Sequence, residues 1–233
     1  MQFTAHTSPG SRPTNQDCYY VNENLFIVCD GVGGKPYGEV ASKLACTSIS
    51  DYFKSNPCAV YDVNYVNKAL QYAIKQFQET ENKYPELKNM ATTVVQIAFN
   101  SSGASIAWLG DSRLYHIRKG QILFVTQDHS LVNDLRKQGE TDESKLAGIR
   151  NFITNSLSAN NKGIFSSHTI TQSEIQKDDF FFLCTDGVLE NLTNEILCTE
   201  LTNKNTLEEK AQNIFSLCVG KTRDNFTFQI IQT

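Results

Sequence analysis

The sequence contains no basic run, no long apolar stretch and no paired cysteine motif, and each absence excludes a class of protein. Its 233 residues carry a formal net charge of −4 with a pI near 5.6, and the lysines and arginines are scattered. Nothing provides a positive track for a phosphate backbone. No segment is apolar for long enough to span a membrane, and the first residues lack the pattern of a signal peptide. We therefore expect a cytoplasmic protein with neither a nucleic-acid nor a membrane partner.

Cysteine and histidine are present, but not at the spacings that bind zinc or form a cysteine nucleophile loop. The seven cysteines are odd in number, and none forms a Cys-x-x-Cys pair or is followed six positions later by arginine. The four histidines likewise lack the short spacing typical of zinc sites. We interpret the cysteines as reduced thiols, several of them in the core.

Apolar periodicity predicts an α+β fold of antiparallel strands flanked by helices. Strand patterns cover residues 18–21, 25–29, 92–99, 105–109, 113–117, 122–126, 180–184 and 225–231. Helical patterns with one apolar face begin near Ala41 and Val63, and Thr206 with Glu209 forms a capping box that starts a third helix. The four strand patterns between 92 and 126 predict an antiparallel meander. No linker divides the chain, so residues 1–233 are expected to form one domain.

One local pattern occurs twice, at distant places in the chain. Residues 25–32 and 181–188 are each an apolar run that ends in Asp-Gly-Val, with Asp30 and Asp186 as the acids. A fully apolar run is typical of a strand buried on both faces, so its terminal carboxylate emerges at the edge of the core. An ionised carboxylate there is costly unless it is paired or binds a metal. The following glycine allows a turn and lets its carbonyl come close to a ligand.

Three more aspartates lie at predicted strand ends: Asp17, Asp111 and Asp224. Aspartate and backbone oxygens suit hard cations such as Mg²⁺ or Mn²⁺ better than zinc. Each of these aspartates alone could be an ordinary turn or helix cap. The five together, with the duplicated strand pattern, favour a shared metal site.

The ordered set of motifs resembles the metal-dependent serine/threonine protein phosphatases of the PPM, or type 2C, family, and a compact bacterial member in particular. The matching segments span residues 12 to 225. In chain order they are Arg12-Pro13-Thr14-Asn15-Gln16-Asp17, Val28-Cys29-Asp30-Gly31-Val32-Gly33-Gly34, Ala91-Thr92-Thr93, Gly110-Asp111-Ser112-Arg113, Gln127-Asp128-His129-Ser130, Cys184-Thr185-Asp186-Gly187 and Arg223-Asp224-Asn225.

The resemblance implies a central β-sandwich of two antiparallel sheets with helices on both outer faces, and a centre for two Mn²⁺ or Mg²⁺ ions at one end. Asp30 would bridge both ions and the Gly31 carbonyl would bind one of them. Asp186 and Asp224 would hold the other. Asp111, with Asp186, would form a third and weaker site.

The resemblance also implies a mechanism and partners. A water or hydroxide between the two ions would attack the phosphorus of phosphoserine or phosphothreonine directly. Asp17 would orient that water and Arg12 would bind the phosphate. The substrates would be phosphorylated proteins, and the partner a serine/threonine kinase with its own substrates. The catalytic domain would act as a monomer, with a flap segment at about 129–160 that sets substrate preference.

Two departures from the family pattern keep other hypotheses open. Gln16 replaces a common glutamate that helps to hold a metal through water, and Val32 replaces the histidine that eukaryotic members carry. Gln16 supports an alternative function, a pseudophosphatase or regulatory module that binds phosphoproteins on the same fold. A third hypothesis keeps the metals but changes the substrate to another phosphoester, either a small molecule or a nucleic acid, and the acidic pI weighs against the nucleic acid. His129, although next to Asp128, is interpreted as part of a helix cap.

Overall fold

A computed structural model describes residues 1–35, 37–149 and 152–233, which form two antiparallel sheets packed face to face. The first sheet has the order β1 (Gln2–Ser8), β10 (Phe226–Gln232), β9 (Phe180–Cys184), β6 (Arg113–Arg118), β7 (Gln121–Val125). The second has the order β2 (Asp17–Val21), β3 (Leu25–Asp30), β4 (Val94–Asn100), β5 (Gly103–Leu109), β8 (Ser166–Thr171). This confirms the α+β class and the β-sandwich.

The two sheets share one apolar interior, which explains the fully apolar runs in the sequence. Phe26 and Val28 of β3 contribute to the same buried cluster as Phe181 and Leu183 of β9. The alternate residues of these strands point outward, where helices cover them. Strands buried on both faces therefore end abruptly in Asp30 and in the Thr185-Asp186 segment, and their terminal acids meet at one end of the sandwich.

Helices cover both outer faces. The helices are α1 (Gly38–Ser55), α2 (Val63–Lys83), α3 (Leu131–Lys137), α4 (Glu143–Ala147), α5 (Asp186–Leu189), α6 (Asn194–Thr202) and α7 (Leu207–Cys218), with single 3₁₀ turns at Pro85–Leu87 and Gln172–Glu174. α1 and α2 bury Ala45, Ile49 and Leu70 against the second sheet. α6 and α7 bury Leu197 and Ile214 against the first. Apolar stripes at helical spacing thus become the two outer layers.

The predicted meander between residues 92 and 126 is wrong at one point. β4 pairs with β5 and β6 pairs with β7, but β5 and β6 lie in different sheets. The chain crosses between the sheets at Gly110, whose φ of 93° suits glycine. The crossing places Asp111 at the same end of the sandwich as Asp30.

All seven cysteines are free, and Cys29, Cys46, Cys184 and Cys218 are buried. Within the described ranges, no helix combines the length and the apolar character needed to cross a bilayer.

Candidate active site

Six of the seven predicted site residues line one cavity of about 590 Å³. We call it the acid cavity. The six predicted residues that line it are Arg12, Asp30, Gly31, Asp111, Asp186 and Asp224. The seventh, Asp17, lies beside it as the β2 partner of Asp30 in the antiparallel register. The Asp17 Oδ2 atom accepts a hydrogen bond of 2.9 Å from the Thr185 hydroxyl, next to Asp186. The fold thus brings together acids that are up to 207 positions apart in the chain, from Asp17 to Asp224.

The glycine after each main aspartate is required by close backbone packing. A Cβ atom on Gly31 would lie 2.5 Å from the carbonyl carbon and oxygen of Gly38, at the start of α1. A Cβ atom on Gly187 would lie 2.0 Å from the carbonyl oxygen of Asn225. Neither glycine has a positive φ. The repeated Asp-Gly pattern therefore reflects two places where the acid-bearing turn meets another segment without room for a side chain.

This packing gives the first prediction. Gly187→Ala should lower the free energy of unfolding by about 1–3 kcal/mol, the usual cost of an added methyl group in a tightly packed place. Gly148→Ala is the matched control, since nothing lies within 4 Å of its Cβ position; its change should stay within about 0.5 kcal/mol. Denaturant unfolding of both variants measures the difference. Equal stabilities would mean that the turn after Asp186 is not constrained by Asn225.

The backbone of Asp30 is fixed by the Thr92-Thr93 segment. Thr93 Oγ1 accepts a hydrogen bond from the Asp30 amide at 3.0 Å, and Thr92 Oγ1 donates to the Asp30 carbonyl at 2.7 Å. The buried Thr93 hydroxyl also lies 2.6 Å from that of Ser112, next to Asp111. These bonds tie the two acids to a common support, so the distance between them is set by the fold.

Burial and mutual repulsion raise the pKa values of the acids. Burial raises the pKa of Asp17 to about 7, and the charge on Asp186 adds to the shift. The pKa of Asp111 is also raised to about 7, mainly by burial and then by Asp186. Burial, followed by the charges of neighbouring aspartates, likewise raises the pKa values of Asp30 and Asp186. A site built in this way is unfavourable for its own charges and attracts cations.

The donor set fits hard divalent cations. The Oδ1 atoms of Asp17 and Asp186 are buried and have no hydrogen-bond partner. Carboxylate oxygens are the ligands that Mg²⁺ and Mn²⁺ prefer. The four aspartates that line the cavity face one space, although among the described residues no three His, Cys, Asp or Glu side chains are already arranged to hold an ion.

Arg12 is a basic residue that contacts one of these acids, Asp224, directly. Its Nε and Nη2 atoms donate to the two carboxylate oxygens of Asp224 at 3.1 and 2.9 Å. This pairing, with Asp224 as the main cause, raises the pKa of Arg12. Its side chain is 57% exposed, so the guanidinium can leave Asp224 for another anion at the cavity mouth.

Two further residues hold the segment that carries Asp224. The buried Asn225 donates from Nδ2 to the carbonyls of Pro9 and Thr14, and its Oδ1 accepts from the backbone N–H of Gln16. These bonds fix the loop that bears Arg12. The Glu190 carboxylate accepts from the Asp224 amide at 3.3 Å. Asn225 appeared in the motif as a neighbour of Asp224, without a role of its own. Glu190 carried no signal in the sequence.

The structure shows what surrounds the two departures from the family pattern, Gln16 and Val32. The side-chain Nε2 of Gln16 donates to the Glu39 carboxylate at 3.3 Å, so an exposed acid of α1 lies beside Gln16. Val32 lines the acid cavity at the predicted position.

His129 has a structural role. Its Nδ1 accepts from the Gly110 amide at 3.2 Å, and its Nε2 lies 2.7 Å from the Ser166 hydroxyl. The following Ser130 is the actual N-cap of α3. His129 thus supports the turn before Asp111.

Comparison with known proteins agrees with this geometry. The model of the protein phosphatase 2C family matches residues 5–220. A serine/threonine phosphatase of Listeria monocytogenes is 32% identical over 197 residues, which cover 82% of this chain and 76% of that protein. The structure of a serine/threonine phosphatase from Staphylococcus aureus superposes with a TM-score of 0.90 at 25% identity, covering 100% of this chain and 94% of that one. The catalytic domain of the serine/threonine protein phosphatase PstP in complex with two manganese ions shares the fold, with a TM-score of 0.83 at 23% identity, covering 98% of this chain and 96% of that one.

The chain belongs to the protein phosphatase 2C family. It is a phosphatase, a hydrolase of the metal-dependent type, and the resemblance drawn from the sequence is confirmed.

Proposed function

We propose that the protein hydrolyses phosphoserine and phosphothreonine in proteins with two Mn²⁺ or Mg²⁺ ions held by the acid cavity. The observation that carries this proposal is the convergence of Asp30, Asp111, Asp186 and Asp224 on one cavity with Arg12 at its mouth. The four acids carry more negative charge than Arg12 can balance, so divalent cations are the natural counter-ions.

The ligand assignment is the one that the family resemblance implies. Asp30 lies at the end of β3, and burial, followed by the charges of Asp17, Asp186 and Asp111, raises its pKa. It would bridge two ions, one of which the Gly31 carbonyl would also bind. Asp186 and Asp224 would hold the other, and Asp111 with Asp186 a third. Bound ions would lower the pKa of water and offset the charge on the phosphate.

Asp17 and Arg12 supply the remaining functions. Asp17 is held through Oδ2 by Thr185, while its buried Oδ1 has no partner. That free oxygen can accept a hydrogen bond from the attacking water and orient it toward phosphorus. The Arg12 guanidinium offers a planar pair of donors that suits a phosphate as well as the Asp224 carboxylate. The histidine of eukaryotic members is replaced by Val32, so the leaving group would take its proton from water.

A phosphatase assay on peptides tests the proposal. Phosphothreonine and phosphoserine peptides should be hydrolysed in Mn²⁺ or Mg²⁺ and left intact in chelator. A phosphotyrosine peptide, assayed in parallel, tests which phosphorylated residue is accepted. p-Nitrophenyl phosphate, assayed in the same way, tests whether small phosphoesters are preferred to peptides. A strong preference for the small phosphoester would replace phosphoproteins as the substrate class. Failure of folded protein to hydrolyse any of them would favour a regulatory module.

That regulatory alternative is not favoured, because the chain keeps Asp30, Gly31, Asp186 and Asp224 and its relatives are named as phosphatases. By family resemblance, we further infer that the substrates are those of a bacterial serine/threonine kinase. We also infer a cytoplasmic monomer, one catalytic domain over residues 1–233, with a flap at about 129–160.

Arg12→Ala should raise KM about 10- to 100-fold with a smaller change in kcat. A hydrogen-bonded charge contact of this kind contributes roughly 1.5–3 kcal/mol, and a contact made equally in ground and transition states appears in KM. Arg12→Lys is the comparison variant, since it keeps the charge but loses the paired donors. Steady-state kinetics on a phosphothreonine peptide measures both parameters. An unchanged KM in Arg12→Ala would show that Arg12 does not contact the phosphate.

A further inference from the structure

A second cavity of about 500 Å³ adjoins the acid cavity. Lys35 and Ile153 line both cavities, so the two form one continuous depression. We call the second one the lysine cavity, because Lys35 and Lys162 line it together with asparagine, serine and apolar side chains from residues 153–164. Its lining from the described residues includes no aspartate or glutamate.

The charge of this cavity is opposite to that of its neighbour. Lys35 and Lys162 are both exposed, and neither makes an ion pair within the described ranges of the chain. Two lysines therefore present positive charge beside a cluster of acids, and no carboxylate of the described residues lies within ion-pairing distance of either. A binding partner that meets this surface gains from carrying negative charge next to the group that enters the acid cavity.

The wall of the lysine cavity is ordered by its own side chains. Asn155 Nδ2 donates to the Ile164 carbonyl at 3.0 Å, and Asn161 Nδ2 donates to Asn155 Oδ1 at 2.9 Å. Asn161 Oδ1 in turn accepts from the Gly163 amide at 2.8 Å. These bonds close the loop on itself and hold the segment that carries Lys162 in one shape. A pre-formed wall loses little conformational entropy when a peptide binds.

The same wall is attached to the support of Asp30. Leu157 exchanges two backbone hydrogen bonds with Thr92, of 2.8 and 3.0 Å, and the Thr92 hydroxyl donates to the Asp30 carbonyl. On the other side, the Gln78 side chain donates to the Ala159 carbonyl at 3.0 Å. The distance from the acid cavity to the lysine cavity is thus fixed by the fold.

We propose that the lysine cavity binds an acidic side chain of the phosphoprotein substrate, an aspartate or glutamate close in sequence to the phosphorylated residue. This inference rests on the proposed function and adds its substrate preference. A phosphate in the acid cavity and a carboxylate beside Lys35 and Lys162 would be held by oppositely charged parts of one depression. Acidic phosphopeptides would accordingly be better substrates than neutral ones of the same shape.

The test compares two phosphothreonine peptides that differ only in having glutamate or glutamine at the two positions on each side. We expect kcat/KM of the wild-type protein to favour the glutamate peptide about five-fold at low salt, the combined effect of exposed ion pairs. The ratio should fall toward one at high ionic strength. Hydrolysis of both peptides with a ratio near one would overturn this proposal and leave the phosphatase intact. Hydrolysis of neither would overturn the proposed function itself.

Three variants locate the effect. Lys35→Gln and Lys162→Gln, singly and combined, should each reduce the glutamate-to-glutamine ratio, and the double variant should bring it close to one. The ratio is measured within each variant, so a change in overall rate does not affect it. Lys68→Gln is the matched control, on the exposed side of α2 and outside both cavities, and it should keep the wild-type ratio. A preference that survives in the double variant would place acidic recognition elsewhere.

Discussion

Replacing Asp30 with asparagine is expected to reduce turnover of a phosphothreonine peptide by a factor on the order of a thousand or more. Bound metal supplies several kcal/mol of charge stabilisation, and each ~1.4 kcal/mol corresponds to a factor of ten in rate. Asparagine keeps the size of the side chain but removes the charge that would bridge two ions. Steady-state assays at saturating Mn²⁺ measure the loss.

The Asp30 variant has a second expected consequence, which separates a metal defect from misfolding. Burial and neighbouring acids raise the pKa of Asp30, so the ionised carboxylate destabilises the fold when no cation is bound. In chelator at pH 7.5, Asp30→Asn should therefore unfold at a temperature no lower than the wild type. Asp51→Asn, on the exposed face of α1, is the control and should keep normal turnover. Near-normal turnover in Asp30→Asn would contradict the metal assignment.

The second large effect is the response of thermal stability to metal and pH. The pKa values of Asp17 and Asp111 are raised to about 7 in the folded protein, whereas in the unfolded chain they lie near ~3.9. The folded state therefore holds protons that the unfolded chain has released. In chelator, stability should fall as pH rises from about 4 to about 7 and level off above that range.

Divalent cations should reverse this loss, because they bind the ionised form of the acids. One ion at a hundred times its Kd adds about 2.7 kcal/mol, which for a chain of this length raises Tm by roughly 5–10 °C. The increase should be larger at pH 7.5 than at pH 5.5, where protons compete for the same oxygens. Scanning fluorimetry with Mn²⁺, Mg²⁺ and chelator at both pH values measures it. A shift independent of pH would indicate that the cations bind outside the acid cavity.

The sequence predicts those parts of the fold that have a strong local signal. β3 and β9 are unmistakable, because strands covered on both faces are apolar throughout. α1, α2 and α7 follow from their apolar stripes, and the Thr206 capping box is present as predicted. Their positions in the chain fix the two acid-bearing turns, so Asp30 and Asp186 could be identified before the fold was known.

Elements with a weak local signal were not predicted. β1 has no buried residue and β8 is a polar strand, each lies on the edge of its sheet, and neither has a clear alternation. The sheet to which β5 or β6 belongs depends on contacts far apart in the chain, and apolar patterns cannot distinguish one side of a sandwich from the other. The crossing at Gly110 therefore became visible only in three dimensions.

The site shows the same division. The acids and their grouping into a metal site could be predicted from the sequence, and the role of each acid came from the family resemblance. The pairing of Arg12 with Asp224 and the support from Asn225 could not be predicted, because each joins segments about 210 residues apart. The lysine cavity likewise arises from Lys35 and Lys162, whose spacing in the chain carries no motif.

The central claim is that the acid cavity is a two-metal centre. A crystal soaked or grown with Mn²⁺ and measured at the manganese absorption edge locates the ions directly. The account predicts two anomalous peaks that share Asp30 as a ligand, with the Gly31 carbonyl, Asp186 and Asp224 completing the protein contacts and Arg12 released from Asp224. Manganese peaks elsewhere, or a cavity without manganese in a crystal of active enzyme, would contradict it.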